Sequence, residues 1–280
     1  MALATKPLSD VMGAEITGID LRNALDESTL GEINQAFLNH KVLCFRDQSF
    51  DIPKFLDVAR QFGNTHPHVY RHLRLDEFPD VSVVSNEDKD VHGSGKKFKR
   101  AAHWHTDESY KAVPAKATLL YSVKAPSEGG ETRYVNMQMA YEALSDKIKQ
   151  RIEGRKAVQR FLTTNPDIHL ATLTEDEKAE VPDVIHPIAR THNETGQKAL
   201  YVNAARTEFV VDMDPAESKA LLQDIYDHSE KLEFQYHHHW RVGDLLMWDN
   251  RCTMHAATHN LQPGAKRLLY RALLDGKKPE

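Results

Sequence analysis

Ten residues near the middle of the chain, AAHWHTDESY at 101–110, place His103, His105 and Asp107 at alternate positions. In an extended strand, residues i and i+2 project to the same side, with their Cα atoms about 6.5 to 7 Å apart. The imidazole of His105 and the carboxylate of Asp107 could therefore converge on one metal ion. A His-x-Asp pair is common by chance, so a metal site needs a third ligand and open coordination positions.

The stretch from Gly243 to Leu274, GDLLMWDNRCTMHAATHNLQPGAKRLLYRALL, offers that third ligand. His255 follows a predicted strand and a turn. With His105 and Asp107 it makes a set of two histidines and one carboxylate, which holds Fe(II) on one face and leaves three positions free. A 2-oxo acid can take two of these positions and O2 the third. Arg267 and Arg271 lie four residues apart on a second predicted strand and so share a face.

The elements that must position these residues are mostly strands. Alternation and apolar runs predict them at 14–21, 41–47, 81–85, 117–123, 132–137, 199–203, 233–241, 244–249 and 267–274. Helices are predicted after Ser28 as a cap, from Asp51, and over 140–154 and 214–231. The pattern favours a mainly β fold with peripheral α-helices, such as a double-stranded β-helix (jelly roll).

The chain shows no internal repeat, low-complexity tract or linker-like run, which favours a single domain over residues 1–280. One segment, 163–184, is polar, Pro-punctuated and long for a plain connection. Such a segment is either an active-site lid or a surface loop.

Composition excludes several classes of protein. Of the 280 residues, 40% are hydrophobic and 28% charged, a balance typical of a globular protein. No apolar run approaches the roughly 18 residues of a membrane span, and no signal pattern begins the chain. The net charge is −5, and the basic cluster KKFKR at 96–100 is short and lacks interleaved aromatics, so we expect a loop and no nucleic-acid partner. Only Cys44 and Cys252 occur, which fits buried thiols in the cytoplasm.

Several motifs together resemble one known family. WHTD (104–107), GGET (129–132), WDNR (248–251) followed by His255, and KRLLYRA (266–272) resemble, in order and spacing, the taurine dioxygenase and 2,4-dichlorophenoxyacetate dioxygenase family of Fe(II)/2-oxoglutarate enzymes. The resemblance extends to GAEITGIDL, LCFRDQ, FGNTHPH, HPIARTH and ALYVN, and so covers nearly the whole chain.

The resemblance implies a role for each site residue. His105, Asp107 and His255 would bind iron, Arg267 would pair with the distal carboxylate of 2-oxoglutarate, and Thr132 would donate to the same carboxylate. The planar fork of an arginine suits a bidentate carboxylate contact. The implied reaction consumes 2-oxoglutarate and O2, releases succinate and CO2, and hydroxylates a substrate. Asp107 stands where halogenases of related chemistry carry Ala or Gly, so hydroxylation is expected. Relatives are commonly dimers or tetramers.

The same resemblance indicates an anionic substrate: a sulfonate, a sulfate ester or an aryloxy or other carboxylate. Arg271 matches an arginine that binds the substrate acid, His68 matches a substrate-contacting histidine, and Tyr110 lies where the taurine enzyme has a pocket aromatic. Two departures argue against taurine itself, namely Ala101 in place of a pocket Asn and Glu108 in place of an apolar residue. Glu108 could receive a cationic group at the pocket rim or lie on the surface.

Other histidines and the motif neighbours have simpler interpretations. In the run YHHHW (236–240), His237 and His239 would face one way and His238 the other, as strand residues without a metal role. We expect His103 to pack or to line the pocket edge, Trp248 to lie in the core, and Asp249 with Asn250 to form a turn.

Two other functional classes remain open. His259 follows His255 by four residues, but the glutamate of the His-Glu-x-x-His zinc motif is missing. A zinc hydrolase using His105, Asp107 and His255 is therefore the weaker alternative, because Arg267 and Thr132 would have no task. A catalytically silent binding module is disfavoured because all three ligands are intact.

Overall fold

The structure is a computed structural model, and it describes residues 3–86, 101–161, 163–165 and 173–280. The KKFKR cluster at 96–100 and residues 166–172 of the predicted lid lie outside the described residues. The description below concerns the described parts of the chain.

Short strands make up most of the regular structure. They are β1 (Ala4–Pro7), β2 (Ala14–Thr17), β3 (Val42–Phe45), β4 (Thr65–His66), β5 (Ser82–Ser85), β6 (Ala117–Lys124), β7 (Thr132–Asn136), β8 (Lys156–Gln159), β9 (Val184–Pro187), β10 (Ala189–Thr191), β11 (Lys198–Leu200), β12 (Thr207–Val210), β13 (Gln235–His238), β14 (Leu245–Asp249), β15 (Thr253–Ala257) and β16 (Leu268–Leu274). The helices are α1 (Glu27–His40), α2 (Ile52–Arg60), α3 (Met137–Glu142), α4 (Asp146–Ile152), α5 (Glu175–Ala179) and α6 (Pro215–Ser229). The prediction of a mainly β fold with peripheral helices is confirmed.

The largest sheet has eight strands. Its order is β1-β2-β3-β14-β6-β16-β4, and β5 also pairs with β16. The central strands are apolar on both faces: in β14, Leu245 and Met247 face the core that α1 and α2 cover, and Leu246 and Trp248 face the interior. A strand that is covered on both sides carries a continuous apolar run, which is the pattern that made it visible in the sequence.

A second sheet, with order β13-β7-β15, faces the large one across that interior. Tyr134 of β7 and Tyr236 of β13 pack there with Trp248 of β14. The other face of the small sheet packs against α3 and α6, where Val135 and Met254 join the helix residues Leu221 and Ile225. Helices therefore lie outside and two sheets lie inside, with the interior between the sheets left for a site.

Three strands and a hairpin complete the sheet structure. β8 pairs with both β9 and β12, and β10 pairs with β11. None of β1, β4, β8, β9, β10 or β12 was predicted, because each has at most four residues and its apolar pattern is short or interrupted by polar residues.

Helix caps explain where the predicted helices differ from the observed ones. Asp51 and Asp214, at which two of the predicted helices start, are the caps of α2 and α6, and each is followed by a proline within the first two helical positions. The cap of α1 is Asp26, whose side chain accepts from Thr29 N, so the prediction of Ser28 is wrong by two positions. The helix predicted over 140–154 is two helices, because Ser145 caps a new one at α4.

The described part of the predicted lid has regular structure. Residues 173–184 contain α5, whose Thr174 and Glu177 form a reciprocal capping box. Glu177 also accepts a hydrogen bond from the Arg71 main-chain N–H at 2.9 Å. This part of the segment is therefore anchored to the chain near residue 71.

None of the helices in the described ranges combines the length and the apolarity that crossing a bilayer requires.

Candidate active site

Two histidines that are far apart in the sequence face each other across a single main-chain bridge. His105 N donates to His255 O at 3.0 Å, and His255 N donates to His105 O at 2.8 Å. His255 lies on β15 and pairs with Tyr134 of β7 on the other side. The small sheet thus fixes both imidazoles through backbone hydrogen bonds, independently of any metal.

The segment 101–110 is not the extended strand that the alternation predicted. Among the described residues of this segment only His105 forms a β-bridge, and a turn begins at Asp107, where Glu108 adopts a left-handed conformation with φ 57°. The turn reverses the chain directly after the bridge. It brings the Asp107 carboxylate beside the His105 imidazole by a different route from the predicted strand periodicity.

The three predicted ligands converge. His105 Nε2 lies 3.6 Å from Asp107 Oδ1, and His255 Nε2 lies 3.9 Å from Asp107 Oδ2. One potential ligand atom from each residue lies within 4.8 Å of the other two. A small adjustment of rotamers would bring these atoms onto one ion at ordinary metal–ligand distances of about 2.0 to 2.2 Å. The donor set of two imidazoles and one carboxylate fits Fe(II).

A main-chain carbonyl orients the first histidine. His105 Nδ1 lies 2.9 Å from the carbonyl oxygen of His103, so this nitrogen carries the proton and donates it. The tautomer leaves the Nε2 lone pair free for a cation. His103 therefore contributes to the site through its backbone, which side-chain reasoning from the sequence did not anticipate.

A chain of hydrogen bonds orients the carboxylate. Thr118 Oγ1 donates to Asp107 Oδ2 at 2.7 Å and accepts from Asn250 Nδ2 at 2.9 Å. Asn250 in turn accepts from the Trp248 indole N–H at 3.0 Å. Trp248 is buried as predicted, but Asn250 does more than form a turn. The WDNR motif thus supports the ligand Asp107 through Thr118, a residue that no sequence motif singled out.

The protonation states suit a cation. Burial lowers the pKa of His255 to about 3, so its ring is neutral at pH 7. Burial alone would raise the pKa of Asp107, but its charged surroundings, with Arg271 among them, hold it well below its usual range. A neutral imidazole and an ionised carboxylate are the forms that bind metal.

Arg267 lies beside the predicted 2-oxoglutarate residue Thr132. Its Nη2 donates to Thr132 Oγ1 at 3.1 Å, and its guanidinium carbon lies 5.6 Å from the Trp240 ring centre. Trp240 Nε1 donates to the same hydroxyl oxygen at 3.0 Å. Because that oxygen accepts twice, its own proton is left for an incoming acceptor. The buried Arg267 Nε has no partner in the described structure, so this corner fits a carboxylate.

Arg271 reaches the site from the middle of β16. Its Nε donates to Ser82 Oγ on the paired strand β5 at 3.1 Å, and its buried Nη2 has no hydrogen-bond partner in the described chain. Its charge lowers the pKa of both His68 and His255. Arg271 therefore faces the metal cluster with part of its fork unused.

The other two predicted substrate residues border the same space. His68 is kept neutral, because burial and the charge of Arg271 lower its pKa well below the usual range, and its ring lies 5.4 Å from that of Tyr70. Tyr110 is 2% exposed and its hydroxyl has no partner among the described residues. The ring of Phe161 stands edge-on to it at 4.5 Å.

Both sequence-based interpretations of Glu108 are wrong. The residue is neither on the surface nor free for a cationic substrate group, because it is 2% exposed and already paired. Lys111 Nζ lies 2.6 Å from one oxygen and His66 Nε2 lies 2.8 Å from the other. His66 also contacts Asp275 at 2.8 Å through its second ring nitrogen. Glu108 thus ties the ligand-bearing turn to β4 and to the C-terminal segment.

The histidine run at 236–240 divides as predicted. His237 and His239 are exposed, whereas His238 is buried and hydrogen-bonds to Asp244 at 3.1 Å and to the Tyr236 hydroxyl at 3.0 Å. Asp244 lies near Cys44 too, but it is already paired with Arg46 at 2.6 Å. Because Asp244 Oδ2 already accepts from both His238 and Arg46, we interpret this group as a polar network of the core rather than a second metal site.

A further buried network, around Asp249, was not predicted from the sequence motifs. Asp249 accepts from His192 at 3.0 Å and from the Arg251 guanidinium at 2.8 and 2.7 Å. Arg251 also bonds Glu194. The carboxylate is therefore already bound by other side chains of the protein, although the sequence predicted Asp249 only as a turn residue.

The helical zinc pattern is also absent from this region. His255 lies on β15, which ends at Ala257, so His259 lies beyond the strand and the two residues are not on one helix as the zinc motif requires. His259 is exposed beyond the end of β15.

The fold and the site together define a mainly β protein with a His/Asp/His metal cluster flanked by two guanidinium groups. Residues 4–273 match the family described as taurine catabolism dioxygenase TauD, TfdA family. The chain belongs to this family. The family predicted from the sequence motifs is confirmed, and with it the enzyme class, a non-haem iron dioxygenase that depends on 2-oxoglutarate and O2.

Named relatives cover almost the whole chain. An alpha-ketoglutarate-dependent 2,4-dichlorophenoxyacetate dioxygenase of Cupriavidus pinatubonensis is 31% identical over 97% of each chain. An alpha-ketoglutarate-dependent sulfate ester dioxygenase of Pseudomonas putida is 30% identical over 100% of this chain and 91% of its own. The crystal structure of AAD-2 in complex with Mn(II) and N-oxalylglycine matches with a TM-score of 0.83 and 28% identity, over 100% of this chain and 99% of that one.

Proposed function

We propose that the protein hydroxylates a small organic anion, with release of succinate and CO2 from 2-oxoglutarate. One observation carries the proposal: Arg271 acts on the His/Asp/His cluster, Arg267 lies at Thr132 on the strand that pairs with the strand of His255, and each arginine keeps an unpartnered buried nitrogen in the described structure. Burying such groups is costly without an acceptor. Two separate anions, the co-substrate and the substrate, account for both.

His105, Asp107 and His255 are proposed to hold the iron. When bound, Fe(II) would supply the redox chemistry that couples decarboxylation of 2-oxoglutarate to oxidation of a substrate C–H bond. The protein keeps His255 neutral by burial and keeps Asp107 ionised and oriented through Thr118. These residues thus present an assembled donor set before any metal arrives.

Arg267 and Thr132 are proposed to hold the distal carboxylate of 2-oxoglutarate. The guanidinium would donate through its fork and the hydroxyl through the proton left over from its two accepted bonds. Burial lowers the pKa of Arg267 to about 10, which still leaves it charged at pH 7. The pair therefore provides a charged donor and a neutral donor to one acid group.

Arg271, His68 and Tyr110 are proposed to hold the substrate. The relatives named above act on an aryloxyacetate and on sulfate esters, and each of these substrates carries an acid group that a guanidinium can bind. The neutral His68 and the protonated Tyr110 would add hydrogen-bonding and aromatic contacts. An aryloxy carboxylate, a sulfonate or a sulfate ester is the expected class.

We further propose that the large sheet and the β13-β7-β15 sheet are the two halves of a jelly roll, in one domain over residues 1–280. The interior packing of Tyr134, Tyr236 and Trp248 between the sheets supports this. We also propose that residues 163–184 cover the site, because α5 is anchored next to the segment that carries His68. A cytoplasmic location and a dimeric or tetrameric state stay predictions, and light scattering of the purified protein measures the latter.

The zinc hydrolase alternative is not supported, because it leaves Arg267 and Thr132 without a role and no relative named here is a hydrolase. One experiment separates the two functions. The purified protein is loaded anaerobically with Fe(II) or with Zn(II), and the visible absorption is recorded as 2-oxoglutarate is added. A new band with Fe(II) alone is expected, and it should be lost in His105→Ala.

The reaction itself is tested by measuring succinate in the presence of ascorbate and O2 over a panel of alkyl sulfates, sulfonates and phenoxyalkanoates. We expect one acid class to stimulate succinate formation strongly above the rate without substrate. Absence of both the absorption band and any succinate would overturn the proposed function.

A further inference from the structure

A third guanidinium borders the site, and neither the metal nor the 2-oxoglutarate corner uses it. Arg206 lies in the turn before β12 and is 9% exposed. Its guanidinium carbon lies 4.5 Å from the ring centre of Phe161 and 5.0 Å from that of Tyr110. One terminal nitrogen donates to the Phe161 carbonyl, and its Nε has no partner in the described chain.

Arg206 has no acid partner among the described residues, a lack that it shares with the buried Arg190 but not with Arg251 or the half-buried Arg46. Arg46 and Arg251 are paired with Asp244 and Asp249 at 2.6 and 2.7 Å. No carboxylate of the described residues lies within ion-pair distance of Arg206. A guanidinium buried against rings and one carbonyl retains an electrostatic cost that an anion would remove.

Arg206 lies beside the site, because its guanidinium stands over the ring of Tyr110, three residues after the ligand Asp107. Its charge lowers the pKa of His68, and the charge of Asp107 in turn acts on Arg206. Arg190 offers a comparison, because it too is buried and lies over a tyrosine, with its guanidinium carbon 4.8 Å from the Tyr201 ring centre. The two guanidinium groups therefore share a ring-stacked environment, but only Arg206 has these electrostatic contacts with site residues.

The Tyr110 hydroxyl supplies a second unused donor beside Arg206. It is buried without a partner, and burial raises its pKa well above the usual range, so it keeps its proton. The Arg206 guanidinium and the neutral Tyr110 hydroxyl therefore combine a charged donor with a neutral donor. Arg267 and Thr132 combine the same two kinds of donor.

The formal charges of the site also favour a second anion beside Arg206. In the proposed function, the two negative charges of 2-oxoglutarate and the one of Asp107 balance a divalent ion and Arg267. Arg271 and Arg206 then remain as two positive groups. A substrate with a single acid group would neutralise only one of them.

We propose that Arg206 and Tyr110 form a second anion subsite and that Arg206 determines specificity for substrates with two acid groups. One acid group would bind Arg271, the other would bind Arg206, and the body between them would lie against the rings of His68, Tyr70 and Phe161. This inference rests on the proposed function and narrows its substrate class to organic diacids.

Matched probes test the subsite. Phenoxyacetate is compared with 4-carboxyphenoxyacetate, and hexyl sulfate with 6-sulfooxyhexanoate, so that each pair differs by one acid group. Binding is measured by calorimetry with Mn(II) and N-oxalylglycine present, and kcat/KM is measured by succinate formation. In at least one pair, the wild-type protein should prefer the diacid by about tenfold to a hundredfold, the range expected for a charge-assisted hydrogen bond.

Variants assign that preference to Arg206. In Arg206→Gln the ratio of diacid to monoacid affinity should fall about tenfold or more, and Arg206→Lys should retain part of it because the charge remains. Tyr110→Phe should lower this ratio by a smaller factor, because it removes only the neutral hydroxyl donor and leaves the guanidinium in place. Arg190→Gln, which removes a comparable buried guanidinium over a tyrosine, should leave the ratio as in the wild type.

The outcomes separate the inference from the function on which it rests. Equal affinity for monoacids and diacids in the wild-type protein, or an unchanged ratio in both Arg206→Gln and Tyr110→Phe, overturns the second subsite. Failure of the proposed function appears instead as loss of 2-oxoglutarate-dependent absorption and of succinate with every probe. The calorimetric ratio decides the subsite even in that case.

Discussion

Arg267 is the residue whose predicted role is tested most directly, because its contacts leave one face of the fork and the Thr132 proton for a ligand. Arg267→Lys keeps a positive charge but loses the bidentate geometry. We expect the KM for 2-oxoglutarate to rise about tenfold to a hundredfold, which corresponds to the loss of one strong charge-assisted hydrogen bond. Succinate formation at varied 2-oxoglutarate measures it.

Arg133→Lys is the matched control for that substitution. Arg133 is adjacent to Thr132 on β7, but its guanidinium lies over Trp104 at 4.7 Å. Successive residues of a strand point to opposite faces, so this change should leave the KM for 2-oxoglutarate as it is. A KM that is unchanged in Arg267→Lys, or raised equally in both variants, would contradict the assigned role.

Thr118 tests the support beneath the metal ligands. Thr118→Val keeps the volume of the side chain but removes the hydroxyl that bonds Asp107 and Asn250. We expect metal affinity to fall about tenfold or more, as is usual when a partner of a ligand is lost. Anaerobic titration with Fe(II), or titration with Mn(II), measures the dissociation constant.

Ser229→Ala is the corresponding control, since it removes a fully buried hydroxyl that bonds only the Tyr226 carbonyl within α6. Its metal affinity should equal that of the wild-type protein. Equal affinities in Thr118→Val and in the wild type would show that Asp107 does not depend on this hydrogen bond.

At the scale of elements, long strands and capped helices were predicted from the sequence, whereas very short strands were not. β6, β14 and β16 are long apolar strands, and α2 and α6 begin with Asp followed by Pro within two positions, so both kinds of element were predicted. β4 has only two residues and β10 only three, which is too few for a periodic pattern.

The candidate site shows the same limit. The types and spacing of His105, Asp107, His255 and Arg267 were enough to predict an iron site with a 2-oxo acid co-substrate. Thr118 could not be selected in this way, because a threonine on an apolar strand is ordinary and its role exists only through the turn that brings Asp107 above it. Local sequence predicts donor types, whereas partners across the fold depend on tertiary packing.

The helix α6 permits a prediction about stability alone. Asp214 Oδ1 accepts from the Ala216 and Glu217 main-chain N–H groups at 2.9 and 3.1 Å. Asp214→Ala removes this cap and should lower the free energy of unfolding by about 1 kcal/mol. Denaturant unfolding measures the change. Asp227→Ala on the exposed face of the same helix should change it by less than about 0.5 kcal/mol, and equal losses would contradict a capping effect.

At the scale of the whole molecule, one buried ionic network joins parts of several layers. Asp249 ends β14 in the large sheet, Arg251 lies in the turn to β15 of the small sheet, and His192 begins the turn between β10 and β11. Glu194 of that turn continues the network, because it contacts Arg251 and lies 3.5 Å from Lys116 before β6. The turn that positions His255 is thus held by charges from outside both sheets.

This network predicts how stability changes with pH. Burial would raise the pKa of Asp249, but Arg251 and His192 lower it strongly from its ordinary value of 3.8. Because the folded protein holds the proton less tightly than the unfolded chain, the ionised pair stabilises the fold fully above the ordinary value. That contribution is lost as the pH falls from about 4 through the lower folded pKa.

Asp249→Asn should therefore have two effects. At pH 7 it leaves Arg251 with only part of its partners, and the free energy of unfolding should fall by about 3 to 5 kcal/mol, as for a buried pair broken on one side. Between about pH 4 and pH 2.5 its stability should decline less steeply than that of the wild-type protein, because the group that would take up the proton is gone. Denaturant unfolding across this range measures both.

Asp183→Asn, which breaks the more exposed pair with Arg160, should cost no more than about 1 kcal/mol. Parallel pH curves for Asp249→Asn and the wild type would mean that the acid sensitivity of the fold arises elsewhere.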